Sequence, residues 1–197
     1  MSRSILIVEH RIKQHFEDSI ALTQQTDLAK EIQQATETIC CALKAENRVM
    51  LCGNGGSMEQ ASHFAGELVG RFKMHRAALP ATVLGINPVI VTAWSNDYEF
   101  TSVFARELEA IGRKGDILIG LSTSGNSKNV IEAVKAAKER GITTIGLLGQ
   151  GGILRDMVDI PLCVPSTATA RIQEVHLLLI HIISELVEDA LFGVHES

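Results

Sequence analysis

Five short, mostly apolar runs, each joined to the next by a segment with helical spacing, constrain the fold of this chain most strongly. The runs are VMLC (49–52), ATVLGI (81–86), DILIGL (116–121), TTIGLL (143–148) and IPLCVP (160–165). Strands that are apolar on both faces and alternate with helices are typical of a parallel sheet covered on both sides. The pattern predicts an α/β protein with a doubly wound, five-stranded parallel sheet in an αβα sandwich.

The remaining segments show the three- and four-residue apolar spacing of helices. Helices are predicted at about 9–22, 28–46, 101–112, 126–141 and 168–191, with another from GNGGS to about Arg71 and a short one at GGILRDM. The run VIVTAW (89–94) fits a helical turn as well as a strand. We expect one domain over 1–197, in which 1–46 form N-terminal helices and 47–193 form the αβα core and the C-terminal helix.

Composition and charge narrow the class of protein. The net charge is −5, aromatic residues make up 4%, and there is no block of basic residues, which argues against a nucleic-acid partner. The apolar runs near both ends are too short for a signal peptide or a membrane span. None of the four cysteines forms a CxxC pair, which favours reduced thiols. We expect a cytoplasmic protein with no membrane partner.

Two loops follow predicted strands at their carboxyl ends, where ligands bind in such sheets. GNGGS (53–57) precedes a helix, so its glycines and the helix amides could hold an anion. A tight turn without a ligand would look the same, so both interpretations stay open. STSGNS (122–127) supplies Ser122, Thr123, Ser124 and Ser127 before a helix that needs one capping residue, which favours a phosphate monoester.

Histidines and a glutamate indicate a reactive site. His63 and Glu67 are four residues apart and share a helix face, where they could bind a metal or transfer a proton. On the last predicted helix, His176 and His181 differ by about 140° and cannot face one pocket. Gln173 and His181 are separated by about 80° around the helix axis and by about 12 Å along it. This spacing leaves both a shared metal and a buried core or oligomer helix open.

These residues lie in segments that resemble a known family. CGNGGS, HFAGEL, SNDYEF, GDILIGLSTSGNS and TARIQEVHLLLIH together resemble the sugar isomerase (SIS) domain family, and within it the phosphoheptose isomerase branch. The resemblance extends from about Asn47 to Gly193. It implies a flavodoxin-like αβα fold with an N-terminal helical extension, in a homotetramer with active sites between subunits. Members convert sedoheptulose 7-phosphate to D-glycero-D-manno-heptose 7-phosphate for surface glycans such as lipopolysaccharide.

The resemblance also implies roles for individual residues. It implies one zinc ion per subunit, with the ligands His63, Glu67, Gln173 and His181. The implied substrate contacts are Asn54, Gly55, Gly56, Glu67, Asn96, Asp97 and Gln173, with Ser122, Thr123, Ser124 and Ser127 around the phosphate.

An aldose–ketose isomerase needs a base and an acid near C1 and C2 of the sugar, and we expect Glu67 and His181 in these roles. The metal or Asp97 would help to orient the sugar hydroxyls. A carboxylate that ligates a metal loses basicity, so the two roles of Glu67 are in tension.

Two positions differ from the family pattern and leave the exact sugar phosphate open. Gln60 stands where the family usually has an acidic residue, and Asn87 precedes Pro88 where the family usually has an aspartate. One rival is a non-catalytic family member that binds the bacterial replication initiator, but that branch lacks the counterparts of Glu67 and His181. A second rival is a sugar-phosphate-binding domain, which is often fused to a DNA-binding module that this chain does not show.

Overall fold

The computed structural model describes residues 3–193 and contains the predicted parallel sheet. The strands are β1 (Val49–Cys52), β2 (Ala81–Val83), β3 (Ile117–Ser122), β4 (Thr143–Leu148) and β5 (Ile160–Cys163). They pair in the order β2-β1-β3-β4-β5, and every pair is parallel. This is the flavodoxin-like order, in which the connection changes direction between β1 and β3. The loops that follow these two strands therefore open into one crevice.

Helices cover both faces of the sheet. They are α1 (Arg3–Gln25), α2 (Ala29–Lys44), α3 (Gly56–Val69), α4 (Pro88–Asp97), α5 (Val103–Ile111), α6 (Lys128–Glu139), α7 (Leu154–Met157) and α8 (Thr169–Phe192), with a 3-10 turn at Phe100–Ser102. One buried core joins α2, α3 and α8 to one face of the sheet. The other joins α5 and α6 to the opposite face. This arrangement confirms the predicted αβα sandwich with N-terminal helices.

The region after β2 differs from the sequence prediction. The strand expected over 81–86 ends at Val83, and Gly85 has a φ of +80°, which an extended strand does not allow. The ambiguous run at 89–94 lies in helix α4. Asn87 caps this helix by accepting a hydrogen bond from Val89 N at 3.0 Å, and Pro88 occupies its first turn. The unusual Asn-Pro pair therefore starts a helix.

Helix α8 contributes a histidine to the core. His176 is fully buried, and its Nε2 donates to the carbonyl oxygen of Leu148 at 3.1 Å. Burial lowers the pKa of His176 to about 4, although the bond to Leu148 acts in the opposite direction. Its Nδ1 atom is buried and has no hydrogen-bond partner within residues 3–193. The expectation that His176 and His181 do not face one pocket agrees with this placement.

The longest helix of the described range is α8, with 24 residues. Neither α8 nor any other helix between residues 3 and 193 combines the length and the apolar character needed to cross a membrane.

Acidification should destabilise the fold through His176. Its pKa is about 4 in the folded protein against 6.5 unfolded, so only the unfolded state takes up a proton between these values. We expect the free energy of unfolding to fall by about 1.4 kcal/mol per pH unit from pH 6.5 to 4, or about 3 kcal/mol in total. Urea denaturation across this range should show a weaker decline in His176→Gln, which cannot titrate. Parallel curves for the two proteins would contradict the assignment.

Candidate active site

Three side chains that the sequence analysis singled out meet where α3 packs against α8. His63 Nε2 lies 3.0 Å from Glu67 Oε1 on the same helix and 3.1 Å from His181 Nε2 on α8. The potential ligand atoms of the three residues all lie within 4.8 Å of one another. The His63 side chain is 41% exposed and that of Glu67 is 20% exposed, so a ligand can reach them from solvent. We call these three residues the His/Glu cluster.

The chemistry of the His/Glu cluster suits a divalent cation. Two imidazole nitrogens 3.1 Å apart cannot both direct a proton at each other, so at least one presents a lone pair. The carboxylate adds a negative oxygen beside them. Zinc is commonly held by histidine nitrogen and carboxylate oxygen, and catalytic zinc sites often use three protein ligands and leave one position for substrate. The donor set therefore fits the zinc ion that the family resemblance implies.

Gln173 lies in the first turns of α8, with its side chain against Gly56, the first residue of α3. A methyl group placed on Gly56 would come within 2.7 Å of Gln173 Nε2, so a larger residue there would displace the end of this side chain. Gln60 Nε2 donates to the backbone oxygen of Gln173 at 2.6 Å. Gln60, which differs from the family pattern, thus holds the helix that carries Gln173. Ligation of a metal by Gln173 stays a prediction.

A pair of asparagines joins the two predicted anion loops. Asn54 in GNGGS and Asn129 in the first turn of α6 exchange two amide hydrogen bonds, of 2.9 and 2.8 Å. Asn129 is almost fully buried, whereas Asn54 is exposed. The predicted contact of Asn54, Gly55 and Gly56 with substrate stays open, but Asn54 has this positioning contact as well. Sequence reasoning missed Asn129, whose one signal is its place directly after a polar loop.

The serine loop places several hydroxyl groups before α6. Ser122 Oγ lies 2.9 Å from Ser127 Oγ and 3.5 Å from Ser124 Oγ. Ser127 occupies the capping position of α6, yet its side chain makes no capping hydrogen bond to this helix. The hydroxyl groups therefore gather at the positive end of a twelve-residue helix and can still bind an anion. A phosphate role for these residues and Thr123 remains a prediction.

A second glycine-rich segment, GQGG (149–152), supports the serine loop. Gly125 has a φ of +64°, and a methyl group there would come within 2.1 Å of Gly151 O. Leu154 N donates to Gly125 O at 3.0 Å, and Ile153 N donates to Asn126 Oδ1 at 3.2 Å. The sequence analysis assigned Gly151 and Gly152 to a short helix, but that helix, α7, begins at Leu154. In the structure they let the two loops pack closely.

Asn96 and Asp97 lie at the end of α4, where both are exposed. Asn96 Nδ2 donates to Asp97 Oδ1 at 2.9 Å. In the described part of the chain, no hydrogen bond joins either residue to the His/Glu cluster or to the serine loop. Their predicted contact with substrate stays a prediction.

Comparisons with known proteins show which family the chain belongs to. A family model described as the SIS domain matches residues 14–149. A phosphoheptose isomerase of Crocosphaera subtropica is 55% identical over 151 residues, which cover 76% of this chain and 77% of that protein. One from Clostridium acetobutylicum is 44% identical and covers 94% of this chain and 95% of its own length.

Solved structures give the same result. The phosphoheptose isomerase of Neisseria gonorrhoeae superposes with a TM-score of 0.88 at 42% identity, covering 92% of this chain and 99% of that one. That of Francisella tularensis has a TM-score of 0.89 at 36% identity, covering 92% and 98%. The chain therefore belongs to the SIS domain family, and within that family to the phosphoheptose isomerases. It is an isomerase, which confirms the prediction from sequence.

The asparagine pair can be tested with a double-mutant cycle. We expect Asn54→Ala to lower the free energy of unfolding by about 1–3 kcal/mol, because it leaves the buried Asn129 amide without this partner. Asn129→Ala should cost only about 0.5–1.5 kcal/mol for each lost hydrogen bond, because water can solvate the exposed Asn54 amide that remains. The double variant should cost clearly less than the sum, because the second change removes a group that is already unpaired. Urea denaturation of the four proteins measures this. Strictly additive losses would show that the two amides do not depend on each other.

Proposed function

We propose that this protein converts sedoheptulose 7-phosphate to D-glycero-D-manno-heptose 7-phosphate, as a step towards surface glycans. The meeting of His63, Glu67 and His181 carries the proposal, in a chain that shares 55% identity with one phosphoheptose isomerase and 44% with another. Glu67 and His181 are also the residues whose counterparts the non-catalytic replication-initiator branch lacks. Their presence therefore supports an enzyme over a binding protein.

The reaction moves one hydrogen from C1 to C2 of the sugar through an enediol. In the proposed mechanism, the Glu67 carboxylate removes the proton from C1 and later returns it to C2. His181 transfers a proton between the oxygens on C1 and C2, so C1 becomes an aldehyde and C2 an alcohol. No outside oxidant or reductant is needed. Glu67 Oε1 faces His63, which leaves the other carboxylate oxygen for proton transfer.

One zinc ion per subunit would be held by His63, Glu67, Gln173 and His181. When bound, zinc polarises substrate oxygens and stabilises the negative charge that develops on them. The convergence of three of these side chains supports this assignment. Since ligation weakens a carboxylate as a base, the metal also serves to organise the site.

The remaining residues bind the sugar phosphate. The phosphate lies against the serine loop, where hydroxyl groups and the start of α6 supply hydrogen bonds and a positive field. The loop at 54–56, together with Asn96 and Asp97, contacts the sugar hydroxyls. The asparagine pair supports this division, because it holds the two loops side by side.

We also propose a homotetramer with active sites between subunits. Among the described residues, α4 has no buried side chain. Its apolar residue Val89 is 71% exposed, and Tyr98, which follows the helix, is 68% exposed. Helix α1 presents Ile12, Phe16 and Ile20 at four-residue spacing, each more than half exposed. Apolar surfaces of this kind mark contacts with other chains. A contact through α4 would bring Asn96 and Asp97 to a neighbouring subunit.

We further propose that residues 1–197 act as one cytoplasmic SIS domain, in which 1–46 serve assembly and 47–193 carry the chemistry. The exposed apolar residues on α1 support the first part of this division.

Proton NMR in deuterated water tests the proposed reaction directly. Incubation of the zinc-loaded protein with sedoheptulose 7-phosphate should produce the aldose heptose 7-phosphate. Glu67→Gln should lower kcat by at least about 100-fold, because general base catalysis contributes that much. His75→Gln, at an exposed histidine outside the His/Glu cluster, serves as the control. Near-normal turnover by Glu67→Gln would show that Glu67 is not the catalytic base. If the wild-type protein converts only a different ketose phosphate, the proposed substrate is wrong.

Sedimentation velocity tests the assembly. The protein should sediment at four times the monomer mass, and Phe16→Glu should dissociate it because a charge would be buried in the contact. Gln14→Glu adds the same charge on the opposite side of α1 and should leave the tetramer intact. If active sites lie between subunits, activity should fall together with the tetramer. A dissociated Phe16→Glu protein with full activity would show that each subunit is complete.

A further inference from the structure

A buried ion pair lies behind the His/Glu cluster and has no role in the mechanism above. Arg76 Nε and Glu188 Oε1 are 3.0 Å apart, and each side chain is only 2% exposed. Two charges lose their hydration on burial, so such a pair persists only when its remaining hydrogen-bonding groups are also satisfied. The partners of these groups therefore show what the pair holds in place.

Glu188 holds the segment that follows α3. Its Oε1 accepts from Phe72 N at 2.7 Å, and its Oε2 accepts from Lys73 N at 2.7 Å and Met74 N at 3.0 Å. Burial alone would raise the pKa of Glu188, but the three backbone N–H groups and Arg76 outweigh it and lower the pKa. Glu188 is therefore a charged anchor for three consecutive residues.

Arg76 holds the end of α3 itself. Its Nη2 donates to Glu67 O at 2.7 Å, and its Nη1 donates to Leu68 O at 2.7 Å. The last carbonyl groups of a helix have no partner within the helix and carry partial negative charge. The guanidinium therefore caps α3 at the same residue, Glu67, whose side chain belongs to the His/Glu cluster.

The ion pair is also connected to the His/Glu cluster through α8, which carries both Glu188 and His181. Glu188 follows His181 by seven residues, which places it two turns further along almost the same face of α8. Phe72, held by Glu188, lies against the His181 ring with the ring centroids 5.7 Å apart. One network thus contacts the backbone of one cluster residue and the ring of another.

We propose that Arg76 and Glu188 are positioning residues for the active site, which lock the end of α3 to α8 and hold Phe72 against His181. The proposal rests on the proposed function, because it assumes that the His/Glu cluster is the metal-binding catalytic site. Ligands on two helices keep their relative positions only if the helices cannot slide. Neighbouring groups that orient metal ligands typically change metal affinity or activity by about 10–100-fold when they are removed.

Glu188→Gln is the first test. The amide has the shape of the carboxylate, but its nitrogen cannot accept a hydrogen bond, so a backbone N–H of the 72–74 segment loses its partner. We expect zinc affinity, measured by competition with a chelator, and kcat each to fall at least about tenfold. KM for the sugar phosphate should stay within about twofold, because β3 and α6 carry the serine loop. Asp189→Asn, an exposed change of the same charge at the next position, should alter neither zinc affinity nor kcat.

Two further variants test the proposal if Glu188→Gln does not fold. Arg76→Lys keeps the charge beside Glu188 but loses the planar fork that reaches the carbonyl groups of α3, so it should lower zinc affinity in the same direction. Phe72→Leu leaves the ion pair intact and removes only the ring against His181. It should also weaken zinc binding, by a smaller factor.

NMR of the metal-free protein separates this proposal from the proposed function. The ring resonances of His63 and His181 should shift in Glu188→Gln and stay in place in Asp189→Asn. Glu188→Gln with a lower melting temperature but unchanged zinc affinity, kcat and ring resonances would reduce the pair to a structural role and overturn the proposal. If the wild-type protein neither binds zinc nor isomerises the sugar, the proposed function fails. In that case the His63 and His181 ring resonances still test the positioning role. If they do not shift in Glu188→Gln, the proposal is overturned.

Discussion

The side-by-side packing of α3 and α8 is the interaction on which the rest of the site depends. Both helices run in the same direction, since Gly56 meets Gln173 at one level and His63 meets His181 at the next. The two α3 positions are seven residues, or about 10.5 Å, apart, and the two α8 positions are eight residues, or about 12 Å, apart, so the pairs stay in register. The absent side chain at Gly56 leaves room for the end of the Gln173 side chain.

The parallel sheet sets the second requirement, which is that the GNGGS loop and the serine loop lie at the same edge of the sheet. The loops after β1 and β3 emerge from neighbouring strands at their carboxyl ends. The Asn54–Asn129 amide pair then ties these loops together, and the glycines at 149–152 let a third loop close under the serines. Rigid support of this kind matters for an isomerase, because the substrate must be held in one orientation while the proton is transferred.

Buried polar groups on α8 support the reactive ones on the same helix. His176 binds the end of β4 and Glu188 binds the segment after α3, while His181 between them contacts His63. Glu188 satisfies three backbone N–H groups, and His176 adds a second hydrogen bond to Leu148 O, which also accepts from Val164 N. These bonds lock neighbouring elements to α8. Helix α8 therefore carries both one member of the His/Glu cluster and buried groups that fix this helix against its neighbours.

The sequence alone determined the strands, the sheet type and the loops that could bind an anion, because these depend on local spacing and on residues that favour turns. It also showed that His63 and Glu67 share a face, since a helix sets the angle between residues four apart. Only the tertiary structure decided that His181 meets His63 across 118 positions, that Asn129 pairs with Asn54, and that Arg76 and Glu188 form a buried pair. The tertiary structure also showed that β2 ends at Val83 and that residues 88–97 form a helix. Distances between residues on different elements depend on how the elements pack, and no spacing along a single helix or strand contains that information.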